Sequence, residues 1–191
     1  MRKGLDKLSV LQAAGDMVDQ YGFDQISLAS LAKSLQIKTP SLYNHVDGLP
    51  GLKKELAGYA IGKLKETLII SVIGKSGEEA LYAIGNAYVE FVRNHPGLYE
   101  ATMAKVVFTD SKMIQTADEI VQLILKVLEV FHLQKDDALH MVRGLRSIVH
   151  GFASLELKNG FNIELSKDES FKQILQTFVC GIKTRRLGEK V

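Results

Sequence analysis

The chain has 191 residues, of which 46% are hydrophobic and 24% charged, a composition typical of a folded globular protein rather than a disordered or fibrous one. Its 24 lysines and arginines against 22 acidic residues leave a formal net charge of +2, which excludes a strongly basic or strongly acidic protein. The single cysteine, Cys180, excludes a disulfide framework and a thiolate metal site, and we expect no cofactor.

The sequence also lacks the features of a membrane or secreted protein. Its longest apolar stretch, around Leu68–Ile73, is far shorter than the roughly 18 residues that a membrane-spanning helix needs. The first residues are charged and do not form a cleavable secretory signal, so we expect a cytoplasmic protein without a membrane partner. Residues 1–65 carry nine basic against six acidic side chains, and this N-terminal excess favours a nucleic-acid contact there.

Two amphipathic helices are predicted at the N-terminus. Apolar residues recur at helical spacing over Leu8–Tyr21, and Gly22 ends this first helix. Ser27 is a suitable N-cap for a second helix, Leu28–Leu35, whose leucines form one apolar stripe.

A third and very short helix is predicted in the stretch Lys38–Val46, which reads KTPSLYNHV. We expect Thr39 to cap it and Pro40 to occupy its first position. Leu42 and Val46 are four residues apart, so they share the face that docks on the two preceding helices. The opposite face carries Pro40, Ser41 and Asn44. A helix this short is marginal alone, and its position after a helix and a turn predicts a helix-turn-helix whose last helix enters the major groove of DNA.

The remainder of the chain is predicted to be helical, and the fold class is therefore all-α with about nine helices. The boundaries lie at Gly, Pro, Asn or Asp residues. The expected helices are 50–72, 77–94, 96–106, 111–132, 136–158 and 168–186. The segment Val106–Thr109 is too short to indicate a strand. We expect a DNA-binding domain over residues 1–48, joined by the 50–72 helix to a larger helical-bundle domain over residues 49–191.

The segment Ile26–Val46, ISLASLAKSLQIKTPSLYNHV, resembles the DNA-binding segment of the tetracycline-repressor-like (TetR/AcrR) family of bacterial transcriptional regulators. The likeness extends over about residues 7–56. More loosely, Asn94–Tyr99 (NHPGLY) and His150–Leu157 (HGFASLEL) resemble the WHG-type ligand-binding and dimerisation domain of part of that family. The resemblance implies a homodimeric repressor whose two short helices enter successive major grooves of a palindromic operator, and a small-molecule effector that releases the DNA.

Two positions depart from the family pattern. Members often have Gly in the turn where this chain has Gln36, and a positive φ there would cost about 1 kcal/mol. Members often carry a phosphate-binding Lys at the start of the next helix, where this chain reads Asp47–Gly51 (DGLPG). Lys53 or Lys54 would then replace that contact.

The candidate DNA-binding residues are Ser27, Lys38, Thr39, Pro40, Ser41, Tyr43, Asn44, His45, Lys53 and Lys54. Asn44 and Ser41 are the candidates for base-edge contacts, because an asparagine amide can pair with adenine through two hydrogen bonds. Tyr43 and His45 flank them and can bond to phosphate oxygens, which fixes the register without reading sequence. Alternatively, Tyr43 only packs the short helix against the first one, and the lysines are ordinary surface charges.

A dimer interface is predicted in the last two helices. The 136–158 helix has small residues at spacings of three, four and three, which let another helix come close, and it is apolar nearly all round. Two such helices from each of two chains would form a four-helix interface. The candidate residues are Gly144, Ser147, Gly151, Ser154, Phe171, Leu175 and Phe178. The alternative is that these residues are buried entirely within one subunit.

An effector pocket is the least defined prediction. Small-molecule sites have apolar walls and few polar anchors. The candidate lining residues are Tyr88, Phe91, Met103, Phe108, Met113, His150 and Phe152. The alternative for all seven is an ordinary place in the helical core, His150 included.

Two other functions remain open from the sequence. The C-terminal domain could be a dimerisation or protein-docking module without an effector, and an enclosed cavity would argue against it. A small all-α enzyme is disfavoured, because no nucleophile, base and orienting group stand together and the histidines lack a metal-ligand spacing.

Overall fold

The computed structural model describes residues 6–186, and the side chains of residues 6–184. Within that range the chain is all-α without a strand, which confirms the predicted fold class. The nine helices of the described range are α1 Lys7–Tyr21, α2 Leu28–Ser34, the short helix Thr39–Asn44, α3 Gly48–Ser71, α4 Gly77–Asn94, α5 Pro96–Thr102, α6 Ser111–Leu128, α7 Lys135–Leu157 and α8 Lys167–Arg186. None of the described helices has the length and apolar character of a membrane span.

Two predicted helices are shorter than expected. The 96–106 helix ends at Thr102, because Ala104 is extended with φ −61° and ψ 139°, and a separate 3-10 turn follows over Lys105–Phe108. The 111–132 helix remains an α-helix only to Leu128 and then tightens into a 3-10 turn. His132, with φ 51°, takes a left-handed conformation and ends that turn.

The chain divides into two compact units, of which the first holds residues up to Leu64 together with Asn94–Ala117. It contains α1, α2, the short helix, the first part of α3, and α5. Its core is formed by fully buried aliphatic side chains from each of these helices, and these include Val10, Leu31, Leu42, Leu52, Leu56 and Ala101.

Helix α5 is bound closely to α1 in this unit. A Cβ at Gly97 would lie 2.0 Å from the carbonyl oxygen of Val18, so only glycine allows the two backbones to come this near. The backbone N–H of Leu98 donates to Oδ1 of Asp19 at 2.9 Å, and Nδ1 of His95 lies 2.8 Å from the other oxygen of the same carboxylate. The NHPGLY segment therefore fixes the start of α5 on the first helix.

The second unit holds Lys65–Arg93 and the residues from Asp118 onward. Its core contains Leu81, Ile84, Leu128, Leu145, Leu175 and Ile182, all nearly inaccessible to solvent. Leu175 packs on α4 at Gly85, where an added Cβ would be 2.7 Å from the leucine, and Phe178 packs on α7 at Gly144. Glycines therefore set the close packing of α8 against both neighbouring helices.

Candidate nucleic-acid interface

Helix α2 begins at the predicted cap. The hydroxyl oxygen of Ser27 accepts the backbone N–H of Ser30 at 3.1 Å, and the hydroxyl oxygen of Ser30 accepts the backbone N–H of Ser27 at 3.3 Å. This reciprocal capping box satisfies donors that a helix N-terminus otherwise leaves open. A cap of this kind stabilises a helix by about 1 kcal/mol, which matters for a helix of seven residues.

The turn after α2 is made by a residue in the left-handed region. Gln36 has φ 55°, so the condition stated for this position, a positive φ without a glycine, is met. The backbone N–H of Ile37 donates to the carbonyl oxygen of Ala32 at 3.0 Å, and the N–H of Gln36 donates to the carbonyl oxygen of Lys33 at 3.1 Å. This pair of bonds is the Schellman motif, which compensates part of the cost of about 1 kcal/mol for a side chain at positive φ.

The short helix differs in detail from the prediction. It is a 3-10 helix of six residues whose N-cap is Lys38, and no side chain caps it, so the predicted capping role of Thr39 is wrong. Thr39 is already the first helical residue, since the carbonyl oxygen of Lys38 accepts the N–H of Ser41 at 2.9 Å. Pro40 consequently lies in the second position, where its missing N–H costs no hydrogen bond.

The short helix presents a polar face outward from an apolar base. Leu42 is completely buried and Val46, just beyond the helix, is 4% exposed, as the spacing predicted. Tyr43 is 60% exposed. Ser41 and Asn44 are three residues apart, so they lie nearly one above the other on a 3-10 helix, with Ser41 half-buried and Asn44 exposed. Pro40 is exposed and His45 half-buried beside them. The arrangement places hydrogen-bonding groups on a firmly supported surface.

The predicted phosphate-binding lysines already have acidic neighbours. The ammonium of Lys53 lies 3.0 Å from Oδ1 of Asp24 and 5.0 Å from the centre of the Phe23 ring. Lys54 pairs with Asp110 at 2.9 Å, and this hydrogen bond raises the pKa of Lys54 and lowers that of Asp110. Both pairs are open to solvent, so a phosphate can compete for either lysine. Lys38 is exposed next to the short helix.

The seven candidate pocket residues lie in different parts of the fold. Met103, Phe108 and Met113 belong to the first unit, and Tyr88, Phe91, His150 and Phe152 to the second. Tyr88, Phe91, Met113 and Phe152 are buried, whereas Phe108 is exposed. The pKa of His150 is lowered by its burial and by the positive charges of Arg146 and Lys158. Phe152 belongs to an aromatic group with Phe161 and Phe171, whose ring centres lie within 4.9 Å of it.

The candidate dimer residues also separate into two groups. Phe171 and Leu175 are buried inside the protomer, and Gly144 and Phe178 pack against each other. Ser147 is exposed, Ser154 is half-buried, and nothing lies within 4 Å of a Cβ built at Gly151. Of the small residues of α7, Ser147 and Gly151 therefore have open space beside them, whereas Phe171 and Leu175 of α8 fill the subunit's own core.

Sequence reasoning missed three acidic residues that hold other parts of the first unit in place. Asp24 and Asp110 hold the two lysines, and Asp19 receives the start of α5. A single carboxylate far along the chain gives no periodic signal, so these partners follow only from the fold. Sequence reasoning also did not single out Ile163 and Leu165, two exposed apolar side chains in the connection between α7 and α8.

The comparisons with known proteins agree with this architecture. The family model described as "Tetracyclin repressor-like, C-terminal domain" matches residues 81–178. An uncharacterized HTH-type transcriptional regulator of Bacillus subtilis (strain 168), YobS, is 37% identical over 182 residues, which cover 95% of this chain and 94% of the relative.

Two solved structures show the same fold at low sequence identity. A protein of unknown function from Rhodococcus sp. RHA1 superposes with a TM-score of 0.80 at 19% identity, covering 94% of this chain and 96% of the other. A TetR variant from Acinetobacter baumannii AYE, solved in complex with minocycline, gives a TM-score of 0.68 at 17% identity, covering 95% and 98%. With the helix-turn-helix geometry, the domain match and the regulator relative together, the chain belongs to the TetR family of helix-turn-helix transcriptional regulators.

Proposed function

We propose that this protein is a one-component repressor that binds a palindromic operator as a homodimer and is released by a small, largely apolar effector. One observation carries the DNA-binding part: the short helix exposes Tyr43 and Asn44 while Leu42, between them and the core, is completely buried. Polar side chains on a braced projecting helix are what the recognition helix of a helix-turn-helix requires.

The roles within the short helix follow from the chemistry of its side chains. Asn44 reads a base edge, most favourably adenine, with Ser41 beside it. The Tyr43 hydroxyl and the His45 imidazole bond to phosphate oxygens and fix the register of the helix. Lys38, Lys53 and Lys54 add charge along the backbone, and a phosphate takes Lys53 from Asp24 and Lys54 from Asp110 when DNA binds.

The homodimer gives the operator its symmetry. Two short helices read two half-sites only when they stand about 34–36 Å apart, or a multiple of that spacing, along the duplex. An effector that prefers a dimer with another spacing lowers operator affinity by the ratio of its affinities for the two states.

An apolar effector is supported by the aromatic character of the second unit. Tyr88, Phe91 and Phe152 contribute three buried aromatic side chains there, with the half-buried His150 as a polar group. The minocycline complex is a property of the structural neighbour; here it supports only the idea that this fold can accept a small molecule.

A gel-shift experiment tests the DNA-binding proposal. The wild type is titrated against the duplex upstream of its own gene, with bulk competitor DNA at physiological salt. We expect Asn44→Ala to lose about 10- to 100-fold in operator affinity, which is the range of one good base contact. Tyr43→Phe removes one phosphate bond and weakens specific and non-specific duplexes alike. The matched control is Gln25→Ala, an exposed polar residue in the turn before α2, which should bind as the wild type does. A wild type without preference for any duplex contradicts the proposal.

The effector proposal has its own measurement. Release of a fluorescent operator is followed against a panel of small aromatic and aliphatic compounds, with thermal melting to exclude unfolding. We expect at least one compound to weaken operator binding about tenfold or more. Operator binding that no apolar compound alters would favour the alternative, a C-terminal part that serves dimerisation or docking only.

A further inference from the structure

The connection between α7 and α8 borders a cavity of about 490 Å³ that is partly open to solvent. This volume lies within the range of roughly 300–1,000 Å³ that is usual for small-molecule sites. The walls belong entirely to the second unit. The lining residues are Phe152, Gly160, Phe161, Asn162, Ile163, Leu165, Lys167, Ser170 and Ile174.

The walls of the cavity are mainly apolar. The ring centre of the buried Phe152 lies 4.9 Å from that of Phe161, so two aromatic side chains form one part of the lining. Ile163 is 77% exposed and Leu165 is 70% exposed, although burial of such side chains is favourable. An apolar ligand in the cavity would cover surface that is now in contact with water.

The backbone around the cavity is fixed at both ends of the connection. Asn159 has φ 53°, and the N–H groups of Asn159 and Gly160 donate to two carbonyl oxygens in the last turn of α7 at 3.0 and 2.7 Å. These bonds form a Schellman motif, which ends the helix in a defined direction. The hydroxyl oxygen of Ser166 accepts the N–H of Glu169 at 3.2 Å and caps the start of α8.

A single arginine of α4 also ties the two ends of the connection together. The guanidinium of Arg93 donates to the two carboxylate oxygens of Glu156 at 2.8 and 3.0 Å, and to Asp168 at 2.6 Å. Glu156 precedes the connection and Asp168 follows it. A cavity whose walls are already ordered costs a ligand less entropy on binding.

Lys167 gives the cavity its positive charge. It is half-buried, and it is the one charged residue among the nine described residues that line the cavity. The two other lysines of α8, Lys172 and Lys183, each pair with a carboxylate, at 3.2 and 2.8 Å. Lys167 makes no ion pair with any side chain that the structure describes. An ammonium beside apolar walls favours an anionic ligand group, because the two form a charge-assisted hydrogen bond.

The acidic residues of the same segment limit the charge of that ligand. Asp168 and Glu169 are already paired with basic side chains, whereas Glu164 is exposed and forms no ion pair among the described residues. A ligand with two negative charges would bring one of them near Glu164 without compensation. One lysine therefore matches one carboxylate better than it matches a doubly charged phosphate.

We propose that this cavity is the effector site and that it binds a small carboxylate with an apolar body. The carboxylate bonds to the ammonium of Lys167, and the apolar body lies against Phe161 and Ile163. This inference deepens the proposed function and rests on it for the effect on DNA, but not for the binding itself. Of the seven pocket residues predicted from the sequence, Phe152 lines this cavity.

Isothermal titration calorimetry of the full chain tests the site with two probes. They are 4-phenylbutyrate and its neutral analogue 4-phenyl-1-butanol, which share the apolar body and differ in charge. We expect the wild type to bind the acid with a dissociation constant in the low millimolar range (~1 mM) or tighter. We expect it to bind the alcohol about tenfold more weakly, because the alcohol forms no charge-assisted bond.

Lys167→Gln separates the charge from the cavity. We expect its affinity for the acid to fall about tenfold, to that of the alcohol, while its affinity for the alcohol stays at the wild-type value. Lys172→Gln is the matched control, since it removes the same charge from the same helix at a position that does not line the cavity. It should bind both probes as the wild type does.

Ile163→Ser tests the apolar wall without disturbing the fold, because the side chain is exposed. We expect it to weaken both probes alike, by about three- to tenfold, with unchanged circular dichroism. Ile73→Ser is the matched control, an isoleucine of the second unit that is 70% exposed and does not line the cavity. It should leave both affinities unchanged.

The outcomes distinguish this site from the rest of the proposed function. A wild type that does not bind 4-phenylbutyrate, or binds it equally well with Lys167→Gln and Ile163→Ser, overturns the site and leaves the repressor proposal intact. Saturating 4-phenylbutyrate should lower operator affinity about tenfold or more, and an unchanged operator affinity overturns the effector role. A wild type that binds the acid through Lys167 but prefers no duplex overturns the proposed function and leaves the site.

Discussion

The short helix and the α7–α8 pair differ in how the outward face of the helix is determined. The short helix has six residues, and its single buried residue, Leu42, decides which way every other side chain points. Helices α7 and α8 have 23 and 20 residues and apolar side chains on several faces. Their own core takes Phe171 and Leu175, while Ile148 and Ile174 line an open groove.

The difference shows what a local pattern can determine. A polar helix with one apolar position has one way to dock, so its exposed face follows from spacing. A helix that is apolar nearly all round must bury several faces, and the pattern does not say which face meets its own subunit and which a partner.

Truncation of one buried leucine in each region tests this difference most strongly. We expect Leu42→Ala and Leu175→Ala each to lower the free energy of unfolding by about 3 kcal/mol, because both side chains are fully buried and a cavity remains. Only Leu42→Ala should abolish operator binding at temperatures where the protein is still folded. Chemical denaturation and a gel-shift on both variants check this. Equal loss of operator binding in the two would show that the regions are not separable.

The attachment of α5 to α1 lies in the same unit as the short helix and can be broken by one methyl group. Gly97→Ala places a Cβ where Val18 has its carbonyl oxygen, so the backbones must separate, and we expect a loss of about 2–3 kcal/mol. Gly62→Ala is the control, and without any neighbour within 4 Å it should stabilise the protein by up to about 1 kcal/mol. Thermal melting of both variants distinguishes a packing effect from a helix-propensity effect, and a neutral Gly97→Ala would contradict the close approach.

A substitution in the turn between α2 and the short helix should have a smaller effect on stability, and one that stabilises rather than destabilises the protein. Gln36 has φ 55°, and glycine takes that conformation without strain. We expect Gln36→Gly to raise the free energy of unfolding by about 0.5–1 kcal/mol without changing operator preference. Urea denaturation and a competition gel-shift measure the two properties. A destabilised Gln36→Gly would mean that the side chain makes a contact worth more than the strain.

The smallest expected effect is a change of stability with pH, and it arises from His150 on α7. The pKa of His150 lies below its ordinary value of 6.5 because of burial and the charges of Arg146 and Lys158. Below pH 6.5 the unfolded chain therefore takes up a proton that the folded chain resists, so stability falls as the pH is lowered from 6.5 toward the folded pKa. Above 6.5 this group has no effect.

Denaturation at a series of pH values between about 5 and 8 should show this slope in the wild type and a reduced slope in His150→Gln. Ser147→Ala, at an exposed position of the same helix without a titratable group, is the matched control and should keep the wild-type slope. A His150→Gln curve that parallels the wild type would contradict the role of burial.

The structure could be predicted from the sequence wherever a single residue determines it locally. Ser27 caps α2, Gly22 ends α1 with φ 93°, and Leu42 and Val46 are buried as their spacing required. Thr39 shows where local rules fail, because threonine suits both a cap and a first helical position, and a 3-10 helix shifts the cap by one residue.

The long-range contacts could not be predicted. Nothing in the spacing of Phe171 and Leu175 says that they face Phe152 and Gly85 rather than another chain. Likewise, the pairing of Lys53 with Asp24 depends on how α3 lies against the turn after α1, which only the packed unit determines. The candidate pocket residues are divided between two units for the same reason.

The central claim is that the exposed side chains of the short helix read base edges. Its most direct test is a cycle between Asn44→Ala and single base-pair changes in an operator selected in vitro, measured by fluorescence anisotropy at fixed salt. We predict that one A·T pair in each half-site, worth about 10- to 100-fold to the wild type, becomes indifferent for Asn44→Ala while all other positions keep their effect. If Asn44→Ala instead loses the same factor on every duplex, the residue reads no base and the claim is wrong.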